Sequence, residues 1–307
     1  MTRLPRHRAC VAASALVLSM GLAACGDEEP TAQDPGDGET SSAAGEPTDE
    51  PTGDPTDDVS ATATPTDLVT VPVYFVGDTP NGPALYREFR RVEADNPMDE
   101  AVALMTAGDA LDPDYRTLYP GGTFESVAFS EGAGAIVAQV EDDGWNAPGD
   151  LSKREAKLAV QQLVYTVQGI QQERLPVLVQ NGSDPAPLFG VDTSGGLKAA
   201  KPLDVLAFMN VTTPEEGATV SGSFTAEGVG SSFEATVIWE VRDASGAAVL
   251  EGFTTAEGWI DKLSPWTAEV DLGGLAPGTY TFAALTDDPS DGEGGGPTED
   301  TKTIVVQ

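Results

Sequence analysis

Side chains able to do nucleophilic or acid–base chemistry near neutral pH are scarce in this chain: two thiols, Cys10 and Cys25, and one imidazole, His7. All three lie in the first 25 residues. If a leader ending at Ala24 is removed, one cysteine and no histidine remain. Several chemistries go together, because zinc centres are built mainly from cysteine and histidine and because Ser-His-Asp or Cys-His catalysis requires the imidazole. Neither G-x-S-x-G nor G-x-x-x-x-G-K occurs. Catalysis by carboxylates alone, as in glycosidases, stays open. Its candidates sit in MTAGDALDPDYRTLYPGG, residues 105–122, where Asp109, Asp112 and Asp114 stand with Tyr115 and Tyr119 and could line a sugar groove or hold an acid pair. Trp145, Trp259 and Trp266 could stack on glycan, although such residues more often cap a core edge. A glycine-rich loop offers Asp287, Asp288, Asp291 and Glu293 as oxygen ligands of the kind calcium favours. Its order lacks the alternating acids, sixth-position glycine and twelfth-position glutamate of an EF-hand, so the stretch Asp287–Asp300 reads as a solvated hairpin loop. No catalytic, cofactor or metal residue is assigned.

Cys25 stands where small apolar residues give way to acids, in GLAACGDEEPT. Ahead of it come a basic start (Arg3, Arg6, Arg8), an apolar run from Ala9 to Met20 and then small residues, the three-part layout of a secretory signal. The uncharged stretch falls just short of the roughly 20 residues that span hydrocarbon. Leu22, Ala23, Ala24 and Cys25 resemble the bacterial lipobox. The resemblance implies cleavage after Ala24 and diacylglycerol on the Cys25 sulfur, which places the chain on the outer face of the cell membrane. Two acyl chains anchor stably where one is marginal, at about 0.8 kcal/mol per buried methylene. Cys10 lies in the discarded run, so no disulfide framework is expected.

The whole chain carries 16 basic and 50 acidic residues, a net charge of −34. Removing the leader takes three arginines and no acid, leaving thirteen basic residues against fifty acidic and a net charge of −37. Such a field repels nucleic-acid phosphate, and nucleic acid is excluded as a partner. Residues 26–66 hold twelve acids, no basic residue and Val59 as the one sizeable hydrophobe. They cannot bury enough apolar surface to fold, and the expectation is a disordered acidic spacer reaching between about 35 and about 125 Å.

Order is expected from residue 67. LVTVPVYFVGD and ALYREFRRVEA read as strands. DNPMDEAVALMTAGD reads as a helix with Asn96 as N-cap and Gly108 as stop, and strands follow near Phe124–Ser130 and Ala135–Val140. SKREAKLAVQQLVYTVQGIQQE is the strongest helix: Ser152 and Glu155 form a capping box, and Ala156, Ala159, Leu163, Val167 and Ile170 share one face. Its other face carries Gln161, Gln162, Gln168 and Gln172, a candidate protein-binding surface. RLPVLVQNG returns as a strand.

VPVYFVGDTPNGPALYREFRRVE, LDPDYRTLYPGGT and AVQQLVYTVQGI followed by PVLVQNG resemble a GerMN domain, an extracytoplasmic module of spore-germination lipoproteins. The resemblance implies an α/β, non-catalytic domain over 67–192, similar to ring-building motifs of secretion channels. After a linker at 193–203, residues 204–307 show seven short strands separated by turn signals, the spacing of an antiparallel sandwich. Ala235, Val237, Trp239 and Val241 share a face, which puts Trp239 in the core. SSFEATVIWEVRD, EGFTTA, Pro265-Trp266 and LAPGTYTF resemble the immunoglobulin-like domain that follows GerMN in germination-type lipoproteins. The expected protein is therefore multidomain: signal peptide 1–24, lipidated Cys25 and linker 25–66, α/β domain, all-β sandwich. The functional expectation is a membrane-anchored, non-catalytic interaction or scaffold module in cell-envelope assembly or regulation, with an envelope protein as partner bound at the glutamine face or, by strand addition, at an exposed edge of the sandwich. Peptidoglycan binding is the alternative, and a carboxylate-based wall hydrolase a third reading.

Overall fold

The structure, a computed structural model, describes residues 67–288, 292, 293 and 295–307. Cys25, the acidic segment 26–66 and Asp291 lie outside the described residues. Among the described residues no helix is long and apolar enough to cross a membrane.

Strand β1 (Leu68–Gly77) pairs antiparallel with β2 (Ala84–Glu93). Val71, Val73 and Phe75 point inward from β1, as the period-two alternation requires. Helix α1 (Pro97–Ala107) ends at Gly108, whose φ of 69° gives the left-handed C-cap that its lack of a Cβ permits. At the other end Asn96 occupies the N-cap position without making a side-chain cap bond. Its amide donates to Asp99 instead.

A second sheet has the order β3 (Phe124–Ser130), β4 (Ala135–Val140), β5 (Val177–Asn181), β6 (Asp184–Pro185). Between the parallel strands β4 and β5 runs α2 (Lys153–Gln171). Its capping box is complete: the Ser152 hydroxyl accepts from Glu155 N at 3.3 Å, and the Glu155 carboxylate accepts from Ser152 N at 2.9 Å. Ser152→Ala should cost about 1 kcal/mol in urea unfolding, the usual worth of such a cap. A change too small to measure would mean that the core, not the cap, fixes this helix end.

The glutamine face is not a free surface. Gln162 and Gln168 are buried and Gln161 is half-buried; only Gln172 is exposed. Gln162 accepts from Leu118 N and donates to the Thr117 hydroxyl, while Gln168 donates to Leu175 O. Gln161 donates to Lys198 O and accepts from Ala200 N. These amides satisfy backbone groups of the loops that cover α2, which buried backbone requires.

From residue 209 a second hydrophobic cluster forms, with Met209, Val237, Val241, Trp266, Phe282 and Ile304 among its members. It lies in two sheets. One has the order β11 (Ala248–Thr255), β10 (Thr236–Arg242), β13 (Gly278–Thr286), β14 (Glu299–Val306), β8 (Ala218–Val220), and the other β12 (Ser264–Asp271), β9 (Ser223–Gly230), β7 (Met209–Thr213). This is the expected sandwich, with two differences in detail. ATVSGSFTAEG divides into β8 and β9, because the chain crosses between sheets at Gly222, where φ is 66°. VLAFMNV becomes a strand only from Met209, because Pro202–Val205 form a helical turn (α3) and Ala207 N is drawn to Leu85 O at 2.9 Å. Trp239 is half-buried and packs against this cluster, while Val237 and Val241 are fully inside it.

Candidate functional site

Asp112 and Tyr115, from the acid- and tyrosine-rich segment, meet Asp300 and Lys302 of β14. The spacing along β14 explains how a lysine comes to be inside. Asp300, Lys302, Ile304 and Val306 are its buried alternate residues, so Lys302 takes an inward position. Its Nζ donates to Asp112 Oδ2 at 2.6 Å, Asp300 Oδ1 at 2.8 Å and the Tyr115 hydroxyl at 2.8 Å. Three N–H groups meet three acceptors. The Tyr115 hydroxyl donates its own proton to Asp300 Oδ1 at 2.6 Å. Asp300 Oδ2 accepts from Val211 N at 2.6 Å, and Asp112 Oδ1 from Asp114 N at 2.9 Å. Glu88 completes the frame by accepting from Leu111 N and Asp112 N, and Thr301 donates to Asp114.

Two carboxylates share one ammonium here, so the buried group holds one excess negative charge. Burial raises Asp112 to about 6, against the opposing pull of Lys302. Burial alone would lower Lys302, but the charges of Asp300 and Asp112 outweigh it and the ammonium is held above its ordinary value. Tyr115 is pushed up by burial and by Asp300 and Asp112, so it is a proton donor throughout the physiological range. Tyr86 stacks on Tyr115 with ring centroids 4.9 Å apart.

Beside the cluster lies a groove of about 290 Å³ lined by Asp78, Tyr86, Asp114, Tyr115, Glu299 and Asp300. An acid pair for glycoside hydrolysis needs one carboxyl free to protonate the leaving oxygen and one free to attack or activate water. Asp112 and Asp300 instead converge on a single ammonium with their oxygens engaged. The arrangement is that of a clamp joining 112–115 to β14.

Of the three tryptophans considered for glycan stacking, Trp145 and Trp266 are buried, and Trp145 Nε1 donates to Gly121 O at 3.0 Å. They are core residues. Trp259 is exposed and meets Phe233 edge-on at 5.3 Å. In the acidic loop, the Asp288 carboxylate accepts from Gly292 N and Asp287 N donates to the Ser232 hydroxyl. For Lys302 the available sequence signal is a lysine at an inward position of an alternating strand. Phe253 on the edge strand β11 and Ile260 were missed too, at 75% and 66% exposed. Together with Phe233, Trp259 and Val249 they leave unusually large apolar side chains in water.

Comparison with known proteins adds two family matches. Residues 72–182 match the family described as sporulation and spore germination, and residues 208–293 match the immunoglobulin-like domain of bacterial spore germination. No match was found among curated proteins. Among solved structures, the tandem GerMN domains of the sporulation protein GerM from Bacillus subtilis are 14% identical. That match covers 67% of this chain and 62% of the other, with a TM-score of 0.34. This chain thus spans less than two thirds of that structure's length. CopC from Methylosinus trichosporium OB3b is 22% identical over 33% of this chain and 93% of its own, with a TM-score of 0.23. The two family matches carry the assignment, and neither family description names a catalytic activity.

Proposed function

From the premise that this chain is a germination-type protein, with a GerMN-type α/β domain followed by a spore-germination immunoglobulin-like domain, we propose that it is a lipid-anchored interaction module that binds an envelope protein and catalyses no reaction. Cys25 is the anchor, and the folded part stands on the outer face of the cell membrane. The observation that carries the binding role is the exposed apolar side chains of the edge strand β11, Val249 and Phe253, with Trp259 and Ile260 in the segment that follows it and Phe233, from the turn before β10, against Trp259. Large apolar side chains left this exposed on an edge strand are suited to be covered by another surface. An open strand edge also offers backbone groups to a partner.

Crosslinking in intact cells with this protein as bait, followed by pull-down, tests the reading. Phe253→Asp should abolish recovery of the partner with little change in thermal stability, since exposed substitutions usually shift it by less than about 0.5 kcal/mol. Recovery equal to wild type would remove the β11 edge from consideration. Cys25→Ser should leave an unprocessed chain that takes up no fatty-acid label, and label retained in that variant would overturn the anchor. Release of sugar fragments from purified peptidoglycan, abolished by a single carboxylate replacement, would overturn the non-catalytic reading.

A further inference from the structure

A cavity of about 510 Å³ opens beside the first turns of α2. Its walls are apolar, formed by Leu158, Val160, Leu197 and Val205, while Lys153, Arg154 and Lys157 stand at its rim. Asp204 is the one acid in the lining. The segment that closes the far side is fixed to α2, because Gln161 bonds to Lys198 and Ala200 and the Tyr165 hydroxyl donates to Ala200 O at 2.8 Å.

The charge distribution singles this place out. Only thirteen basic residues follow Cys25, and five of them, Lys153, Arg154, Lys157, Lys198 and Lys201, belong to α2's first turns or to that covering segment. The rim cations gain nothing from the helix, since the positive end of the macrodipole repels them. Nor do Lys153, Arg154 and Lys157 form ion pairs within the protein, among the described residues. Arg154 is nonetheless placed: its guanidinium lies over the Gly82 turn, so close that a Cβ on Gly82 would meet Nη1 at 3.0 Å. Three neighbouring cations and a largely apolar cavity within the 300–1,000 Å³ of ligand sites form a complementary pair of surfaces.

We infer that this cavity binds a small amphipathic anion, with its apolar body among Leu158, Val160, Leu197 and Val205 and its carboxylate or phosphate head at Lys153, Arg154 and Lys157. A bilayer surface is not the occupant, because a flat sheet does not reach side chains as buried as Leu158 and Val160. The site is separate from the β11 edge and goes beyond the partner-binding role.

The test is equilibrium dialysis of the full chain against dodecanoate and dodecyl phosphate below their micellar concentrations, with dodecanol as the uncharged competitor. One saturable site is expected for at least one of the anions, and which one binds identifies the head group. Lys153→Glu/Arg154→Glu/Lys157→Glu should weaken binding at least tenfold, and Ala200→Phe, which fills the chamber, should do the same. Both variants are checked for an unchanged thermal midpoint. If the charge-reversed variant does not fold, Ala200→Phe decides alone. Absence of saturable binding by either anion, equal binding by the folded variants, or competition by dodecanol within tenfold of the anions would overturn the inference.

Discussion

Lys302→Ala is expected to destabilise the protein by about 3–5 kcal/mol at pH 7, the cost of leaving buried carboxylates without their counter-charge. Asp112 and Asp300 would both remain inside, at 2% and 3% exposure, and the Tyr115 hydroxyl would lose a donor. Urea unfolding measures the loss, and a value under about 1 kcal/mol would mean that water replaces the ammonium. Replacing both partners should cost less than the separate losses imply: Asp112→Asn/Lys302→Met should recover part of the sum, because it leaves one uncompensated buried carboxylate, Asp300, where Lys302→Ala leaves two. The same cluster fixes a pH dependence. Asp112 titrates near 6 in the folded protein and near 3.8 in the unfolded chain. A carboxyl raised by folding binds its proton more readily in the native state, so its contribution is fully present below about pH 4 and is lost as pH rises through about 6. Wild type should therefore gain stability relative to Asp112→Asn on going from pH 7 to pH 4. Carboxylates held low by local bonds, such as Glu155 and Asp243, titrate in both proteins and cancel from the difference. A gap that is flat over this range would place the excess charge elsewhere.

Local signals carried most of the fold. The Ser152–Glu155 box, the left-handed stop at Gly108 and the alternation in β1 each depend on neighbours a few residues away, and each stands where the sequence puts it. What failed was inference from polarity to exposure. Gln162 and Gln168 are polar but inside, because the loops that cross α2 present backbone groups needing partners, and nothing in the helix's own periodicity announces those loops. Trp266 is similar: beside Pro265 it looks like an edge residue, yet on β12 the alternation turns it inward. The candidate site was half legible. Residues 109–119 attracted notice for their acids and tyrosines, but their partners Asp300 and Lys302 are nearly 190 positions away. They come together only where the first domain packs on the sandwich, the contact that also sets Tyr86 Oη on Glu299 O and Ala207 N on Leu85 O.

Gly228→Ala should cost about 1–3 kcal/mol, at the upper end of that range, the usual penalty for forcing atoms into a filled core. Gly228 is in β9 between β7 and β12, with Asn210 O on one side and the Trp266 ring on the other. A Cβ would overlap the Asn210 carbonyl and approach Trp266 Cζ2 to 2.5 Å. Neither obstacle yields easily, since Trp266 is buried at 2% exposure and the Asn210 carbonyl belongs to a paired strand. Gly252 gives the matched control. A Cβ there meets the ring of Trp239, which is only half-buried and has solvent on one side, so Gly252→Ala should cost less. The consequence of Gly228→Ala extends beyond the sandwich. Val211 N, the residue after Asn210, donates to Asp300 Oδ2 at 2.6 Å, so a displaced β7 pulls on the carboxylate that Lys302 and Tyr115 share. Gly228→Ala should thus couple to Lys302→Ala, the double variant losing less than the sum of the two, whereas Gly252→Ala should add to it independently. Additivity in both cycles would show that β7 does not transmit packing in the sandwich to the clamp.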